Sequence, residues 1–175
     1  GLWDIEGEML DTKAIDLPRP NGSGVRKAGD PIHHMRIRVT VDTRLVVQAI
    51  EASLEAHPVQ GCPGALAGMQ RMVGCSMARG WRKAIDTHLA GIAGCTHLRE
   101  LLNNMATAAF QSIVSAFSTT PDQPPAYLGR CTGWDFHGPA VLQYYPQFAG
   151  WHLPEGKGPA LPPATAVTNP TTPHG

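Results

Sequence analysis

The sequence has no excess of charge of either sign, because 14 lysine and arginine residues are matched by 14 aspartate and glutamate residues. Proteins that bind nucleic acid or an anionic membrane surface generally carry a basic patch or a net positive charge. The sequence also contains no run of roughly 18 apolar residues, the length that a membrane-spanning helix needs. These absences argue against nucleic acid and membranes as partners.

Cysteine is sparse, with four residues spread along the chain rather than crowded together as in small secreted disulfide scaffolds. We expect reduced thiols and a cytoplasmic protein. The first residues lack the basic-then-apolar order of a secretory signal peptide, although a start at Gly1 leaves room for a native leader that has been removed.

Common catalytic motifs are also missing. The sequence has no P-loop, no G-x-S-x-G turn, no CxxC pair and no HExxH helix. Nucleotide chemistry is therefore disfavoured, and a functional site must be assembled from residues that are far apart in sequence.

The first third of the chain has the two-residue hydrophobic period of β-strands. Residues 1–17 mix apolar and acidic side chains over strand length, and a loop rich in proline and glycine follows. From Met35 to Val41 apolar and polar residues alternate strictly, which predicts a strand with one buried face. Residues 45–56 fit a return strand or a short helix, and we favour the strand because β-branched residues open the segment.

The following segments have helical spacing. Residues 62–74 and 78–91 predict two short helices, each ending in glycine, and a longer helix is predicted from Thr96, which can cap it. Strands followed by helices predict an α+β fold, with an antiparallel sheet of about three strands and three helices packed on one face. We predict a core domain over residues 1–117, an aromatic arm over 118–150 that docks on it, and a disordered, proline-rich tail over 151–175.

Metal-binding side chains stand at the ends of three predicted elements. His33 precedes the alternating strand, Cys62 opens the first helix, and Cys95 and His97 open the third. A helix N-terminus favours the thiolate form of cysteine, and imidazole and thiolate are ligands that zinc and iron accept. We therefore predict a zinc or iron site from His33, Cys62 and Cys95, with His34 or His97 as a fourth ligand. Each of these residues taken alone also fits a structural role.

Three functions stay open. The first is a module that binds or delivers a metal, with a metal- or cluster-handling protein as its partner. The second is a small metal-dependent lyase or hydrolase acting on a small organic substrate, in which Glu6 or His34 moves a proton and Trp81, Trp134 and Tyr144 wall a pocket. The third is a structural domain in which the ligands never meet.

Several segments closely resemble a bacterial family of domains of unknown function, number 2889 in its series. They are "GLWDIEG", "AGDPIHHM", "ARGW", "GCTHLRELL" and "ATAAFQ", and the resemblance extends over about residues 1–150. The family pattern has an aspartate after the histidine that precedes the second strand, whereas this chain has His34 there. The resemblance implies a bacterial domain and leaves its activity open.

A more distant resemblance is to iron–sulfur scaffold proteins of the IscU/NifU type, which hold clusters with cysteines at element ends. "GDPIHH" places His33 where their first cysteine stands, "GCPG" places Cys62 at the second, and "CTHL" places Cys95 at the third. The resemblance implies an IscU/NifU-like fold. Because histidine replaces one cysteine, this ligand set suits a single zinc or iron ion at least as well as a cluster.

Overall fold

The structure is a computed structural model that describes residues 1–19, 22–115 and 122–152, without the side chains of residues 114 and 115. Most of the predicted proline-rich tail and the first residues of the predicted arm lie outside these described residues. By the pattern of internal contacts the chain divides into two units, residues 1–110 and residues 111–175.

The described residues of the first unit form five strands, which are β1 (Leu2–Thr12), β2 (Leu17–Pro18), β3 (Val25–Arg26), β4 (Pro31–Asp42) and β5 (Val47–Ala56). Strands β1, β4 and β5 form an antiparallel sheet with β4 in the centre, which confirms the predicted three-stranded sheet. The predicted loop after β1 contains the short β2–β3 hairpin, which the sequence did not predict.

Two α-helices and three short 3-10 helices follow the sheet. The α-helices are α1 (Trp81–Leu89) and α2 (Thr96–Ser115), and the 3-10 helices are Cys62–Ala65, Ala67–Met72 and Gly91–Ala93. The first predicted helix is therefore wrong in kind, since residues 62–74 form 3-10 turns instead of an α-helix. Gly64 and Gly68 inside the segment disfavour an α-helix, because glycine is a poor helix former.

The helices lie against one face of the sheet. Met35, Ile37, Val39 and Val41 alternate along β4 and are buried, and the residues of α2 that share this core are Leu98, Leu102, Met105 and Ala109. Helix α2 approaches β1 closely at Gly7, where a Cβ atom would lie 2.9 Å from Sδ of Met105. On the opposite face of the sheet the β4 residues are mainly polar and charged, as the predicted alternation requires.

The second unit has a small core of its own. Its residues 111–115 are the end of α2, and within residues 122–152 it forms α3 (Pro139–Tyr144) and the 3-10 helices Thr132–Trp134 and Pro146–Phe148. Four buried residues make the core, with Tyr127, Trp134 and Tyr145 packed against it, and they are Leu128, Phe136, Val141 and Phe148. The described part of the predicted aromatic arm is thus a set of helical turns. Across the described ranges no helix is long and apolar enough to cross a membrane.

Candidate functional site

The two adjacent histidines of β4 point to opposite faces of the sheet, as neighbours in a strand do. The His33 ring packs against the ring of His97 at the start of α2, with ring centroids 3.9 Å apart. His34 lies on the open face, where its Nε2 is 2.6 Å from Glu8 and its Nδ1 is 3.0 Å from Glu55. The two histidines therefore belong to different surroundings.

On the helix side the chain assembles four residues that we call the histidine–cysteine cluster: Asp11, His33, Cys95 and His97. Asp11 and His33 are direct partners in the β1–β4 register, and Asp11 Oδ2 lies 3.0 Å from His33 Nδ1. The rings of His33 and His97 are in contact, and His97 Nδ1 lies 4.0 Å from Cys95 Sγ. The cluster thus links a carboxylate, two imidazoles and a thiol in that order.

The backbone at the start of α2 fixes the thiol end of the cluster. The carbonyl of Cys95 accepts a hydrogen bond from the N–H of Arg99, so Cys95 is the N-cap residue, one position before the predicted cap at Thr96. Gly94 precedes it in extended conformation, and a Cβ atom there would lie 2.5 Å from the carbonyl oxygen of Leu89. Only glycine fits at that point, which lets the chain pass from α1 to the Cys95 position.

Electrostatics favour a neutral His97 beside an ionised Asp11. Burial and then the neighbouring His33 lower the pKa of His97 below its usual 6.5. Hydrogen bonds from Lys13, 2.6 Å away, and then from His33 lower the pKa of Asp11. At neutral pH the cluster therefore presents a carboxylate that accepts a hydrogen bond and an imidazole with a free nitrogen lone pair.

Cys62 is not part of this cluster. It is half-buried at the start of the 3-10 helix that follows β5, and among the described residues no side-chain hydrogen bond or ion pair joins it to His33, Cys95 or His97. All four cysteines of the chain are free. In the described parts of the chain, no group of three or more His, Cys, Asp or Glu side chains is arranged so that it could hold a metal ion.

Asp11 is the residue of the cluster that the sequence did not identify as a partner of His33. The signal was present, since Asp11 lies at an odd position of β1, as do Ile5 and Gly7, which face the helices. Pairing it with His33 required the β1–β4 register, which hydrophobic alternation alone does not provide.

The open face of the sheet contains both predicted proton-transfer residues, within a network that we call the ion-pair ladder. It consists of Glu6 with Arg38 (2.6 Å), Glu8 with Arg36 (2.9 Å) and His34, and Glu55 with Arg36 (3.1 Å) and His34. The ladder borders a shallow cavity of about 630 Å³, whose polar lining is Glu6, Glu8, Arg36, Arg38, Glu51 and Ser53. Glu6 and His34 are thus separated from the histidine–cysteine cluster by the thickness of the sheet.

The three predicted pocket walls are divided between the two units. Trp81 is buried in the first unit, where its Nε1–H donates to the carbonyl of Leu102 at 2.9 Å. Trp134 packs against Tyr127 and Tyr145 in the second unit, and Tyr144 is exposed. Trp81 therefore has a structural role.

Fold and site together define an α+β domain that gathers histidine, cysteine and aspartate where its sheet meets the start of a long helix. A family model described as "Protein of unknown function (DUF2889)" matches residues 1–111, and the chain belongs to this family. The match ends at residue 111, so it is shorter than the resemblance over residues 1–150 that the sequence indicated. No curated protein and no solved structure matches the chain, so the IscU/NifU-like fold gains no support from these comparisons.

Proposed function

We propose that this domain is a metal-binding module whose ligands for zinc or iron include His33, His97 and Cys95. The observation on which the proposal depends is the histidine–cysteine cluster, in which β4 and the start of α2 place two imidazoles and one thiol in contact. Two nitrogen ligands and one sulfur ligand are a donor set that zinc and iron accept.

Asp11 supports this reading through the tautomer of His33. An ionised carboxylate only accepts hydrogen bonds. The contact at 3.0 Å therefore requires that the Nδ1–H group of His33 donate a hydrogen bond to Oδ2 of Asp11. Nε2 then keeps a free lone pair in the neutral ring. Metal-binding histidines commonly have this arrangement, with one ring nitrogen on the metal and the other on a carboxylate.

The present side-chain positions do not surround one point. The two imidazole rings stack at 3.9 Å with 38° between their planes, and the described residues contain no ready-made group of three ligands. Metal binding by this set requires rotation of the His97 side chain away from the His33 ring. The likeness to IscU/NifU-type scaffolds adds Cys62 as a further ligand, which requires that the 3-10 turn at residues 62–65 move toward the cluster.

A binding role fits the geometry better than metal-dependent lyase or hydrolase chemistry with the predicted proton-transfer residues. Glu6 and His34 lie on the open face of the sheet. Glu6 pairs there with Arg38, and His34 contacts Glu8 and Glu55. A proton moved at a metal on the helix face has no direct path to them. We therefore favour a module that holds a metal ion or passes it to a partner protein.

The test is the metal content of untagged protein purified without chelators, together with titration of the metal-free protein with Zn²⁺ and Fe²⁺. We expect one equivalent of metal per chain, lost in His33→Ala, His97→Ala and Cys95→Ala. Cys75→Ala is the matched control and should retain the metal, because Cys75 contacts the carbonyl of Arg71 instead. Cys62→Ala shows whether the ligand set includes a second thiolate.

A weaker variant tests the role of Asp11. Asp11→Ala removes the carboxylate that orients His33 without removing a ligand, and loss of such a partner typically reduces metal affinity by about 10-fold to 100-fold. Absence of stoichiometric metal, or affinity that is unchanged in Cys95→Ala, would contradict the proposed function.

A further inference from the structure

The two edges of the sheet differ in how they are covered. The outer edge of β5 is paired with the segment that follows the 3-10 helices. Gly74 N–H donates to the Val47 carbonyl at 2.9 Å, and Val47 N–H donates to the Cys75 carbonyl at 3.0 Å. The side-chain amide of Gln70 donates to the Ile50 carbonyl at 2.7 Å. Part of this edge is therefore unavailable to another strand.

Within the described residues of the first unit, the outer edge of β1 has no such cover. Strand β1 is 11 residues long and pairs with β4 on its inner side. No hydrogen bond from the described residues of this unit reaches the backbone N–H and C=O groups that alternate along its outer side. An uncovered edge of this length is a template for a further strand.

Both faces of β1 show which side chains an added strand would meet. On the open face, the even positions carry Asp4, Glu6 and Glu8 between two apolar residues, Leu2 and Leu10, whose side chains are 65% and 58% exposed. On the helix face, Trp3 and Met9 are half-buried. Along the middle of β1, an added strand would thus meet carboxylates on the open face and apolar residues on the helix face.

The carboxylates of the edge keep much of their exposure despite their arginine partners on β4. The Glu6 side chain is 64% exposed and the Glu8 side chain is 52% exposed. Each is therefore free to form a second ion pair with a residue on the outer side of β1. Directly opposed unlike charges stabilise strand pairs, and like charges destabilise them.

We propose that the outer edge of β1 binds an extended segment of a partner protein in which basic and apolar residues alternate. A second copy of this chain is a poorer occupant. Antiparallel pairing of two β1 strands about Glu6 sets Glu6 against Glu6 and Asp4 against Glu8, which places like charges opposite each other. This inference concerns a different surface from the proposed metal site and does not depend on it.

The experiment uses a synthetic peptide of alternating lysine and valine, matched to the length of β1, and measures its binding to the full chain by fluorescence anisotropy. We expect saturable binding that weakens as salt is added. The double variant Glu6→Gln/Glu8→Gln should weaken binding by about fivefold to tenfold, because two cross-strand charge pairs are lost. Glu51→Gln, on β5 beside the same cavity, is the matched control and should bind as the wild type does.

Two N-methylated peptides separate strand addition from simple charge attraction in the unaltered protein. The amides of the lysines and those of the valines point to opposite sides of an extended strand. Methylation of one set must abolish binding and methylation of the other must spare it. Equal binding of both methylated peptides, or no binding of the parent peptide, would overturn the proposal. A dimer of the chain that the peptide dissociates would overturn it in favour of a second copy.

Discussion

The position of Cys95 depends on one neighbouring residue, Gly94. A Cβ atom at position 94 would lie 2.5 Å from the carbonyl oxygen of Leu89 and 2.9 Å from Leu89 Cβ, so alanine does not fit without movement of the end of α1. We expect Gly94→Ala to lower the free energy of unfolding by about 1–3 kcal/mol, the usual cost of overpacking. Urea denaturation measures this effect.

Gly64 is the matched control for this substitution. It lies in a 3-10 turn near Cys62, and a Cβ atom there meets no atom within 4 Å. Gly64→Ala should leave the stability of the fold nearly unchanged. Equal stability of the two variants would show that the α1–α2 junction tolerates a side chain at position 94.

At this scale the sequence identified three of the four residues of the histidine–cysteine cluster. Element ends pointed to His33, Cys95 and His97, and the fold brings the side chains of these three into contact. Asp11 was not identified as the partner of His33, because that pairing depends on strand register. The ligand role of Cys62 stays a prediction.

Among the elements, the central strand β4 determines the chemistry of both faces. Two of its residues act on Glu8 of the adjacent strand. Hydrogen bonds from His34 and then from Arg36 lower the pKa of Glu8 from the usual 4.5. A carboxyl whose pKa is lower in the folded state stabilises the fold above its unfolded-state pKa. That stabilisation is lost as the pH falls through the lowered value.

We therefore expect the stability of the wild type to fall more steeply than that of Glu8→Gln between about pH 5 and about pH 3. The measurement is the urea midpoint as a function of pH. Glu100→Gln, an exposed position on α2, should retain the wild-type pH dependence. A Glu8→Gln curve parallel to that of the wild type would contradict the role of the ladder.

The elements themselves were predictable where hydrophobic period was strong. Strict alternation located β4, and apolar residues spaced three and four apart located α1 and α2. The segment over residues 62–74 was misjudged because its apolar spacing is helical. Tertiary packing also constrains this segment, since a Cβ atom at Gly68 would lie 2.7 Å from the carbonyl oxygen of Ala93. Hydrophobic periodicity does not reveal such a contact between distant segments.

At the scale of the whole molecule, the family match and the contact pattern divide the chain at nearly the same place, residue 111 and residues 110/111. In the second unit, the ionisation of Tyr127 reports on the fold. Burial and a hydrogen bond with the Tyr145 hydroxyl, 2.5 Å away, raise the pKa of Tyr127 to about 12. A raised tyrosine pKa stabilises the fold below the unfolded-state pKa of about 10, and this is lost as the pH rises through the folded value.

Ultraviolet titration of the tyrosinate band should accordingly show one tyrosine that ionises near pH 12. Tyr145→Phe should lower that pKa because the hydroxyl partner is removed, whereas Tyr144→Phe should leave it unchanged, since Tyr144 is exposed. If the late transition persists in Tyr145→Phe, the hydroxyl pair is not its cause.

Gly7 has a consequence for how the sheet assembles. The charges alone allow β1 to slide by two residues, since Glu6 would then face Arg36 in place of Arg38 and Glu8 would face His34. This slide would bring Ile5 to the place of Gly7 beneath Met105, where even a single added carbon at position 7 would lie 2.9 Å from Sδ. The register of β1 against β4 is therefore set by the absence of a side chain at Gly7 and not by an attractive pair of charges.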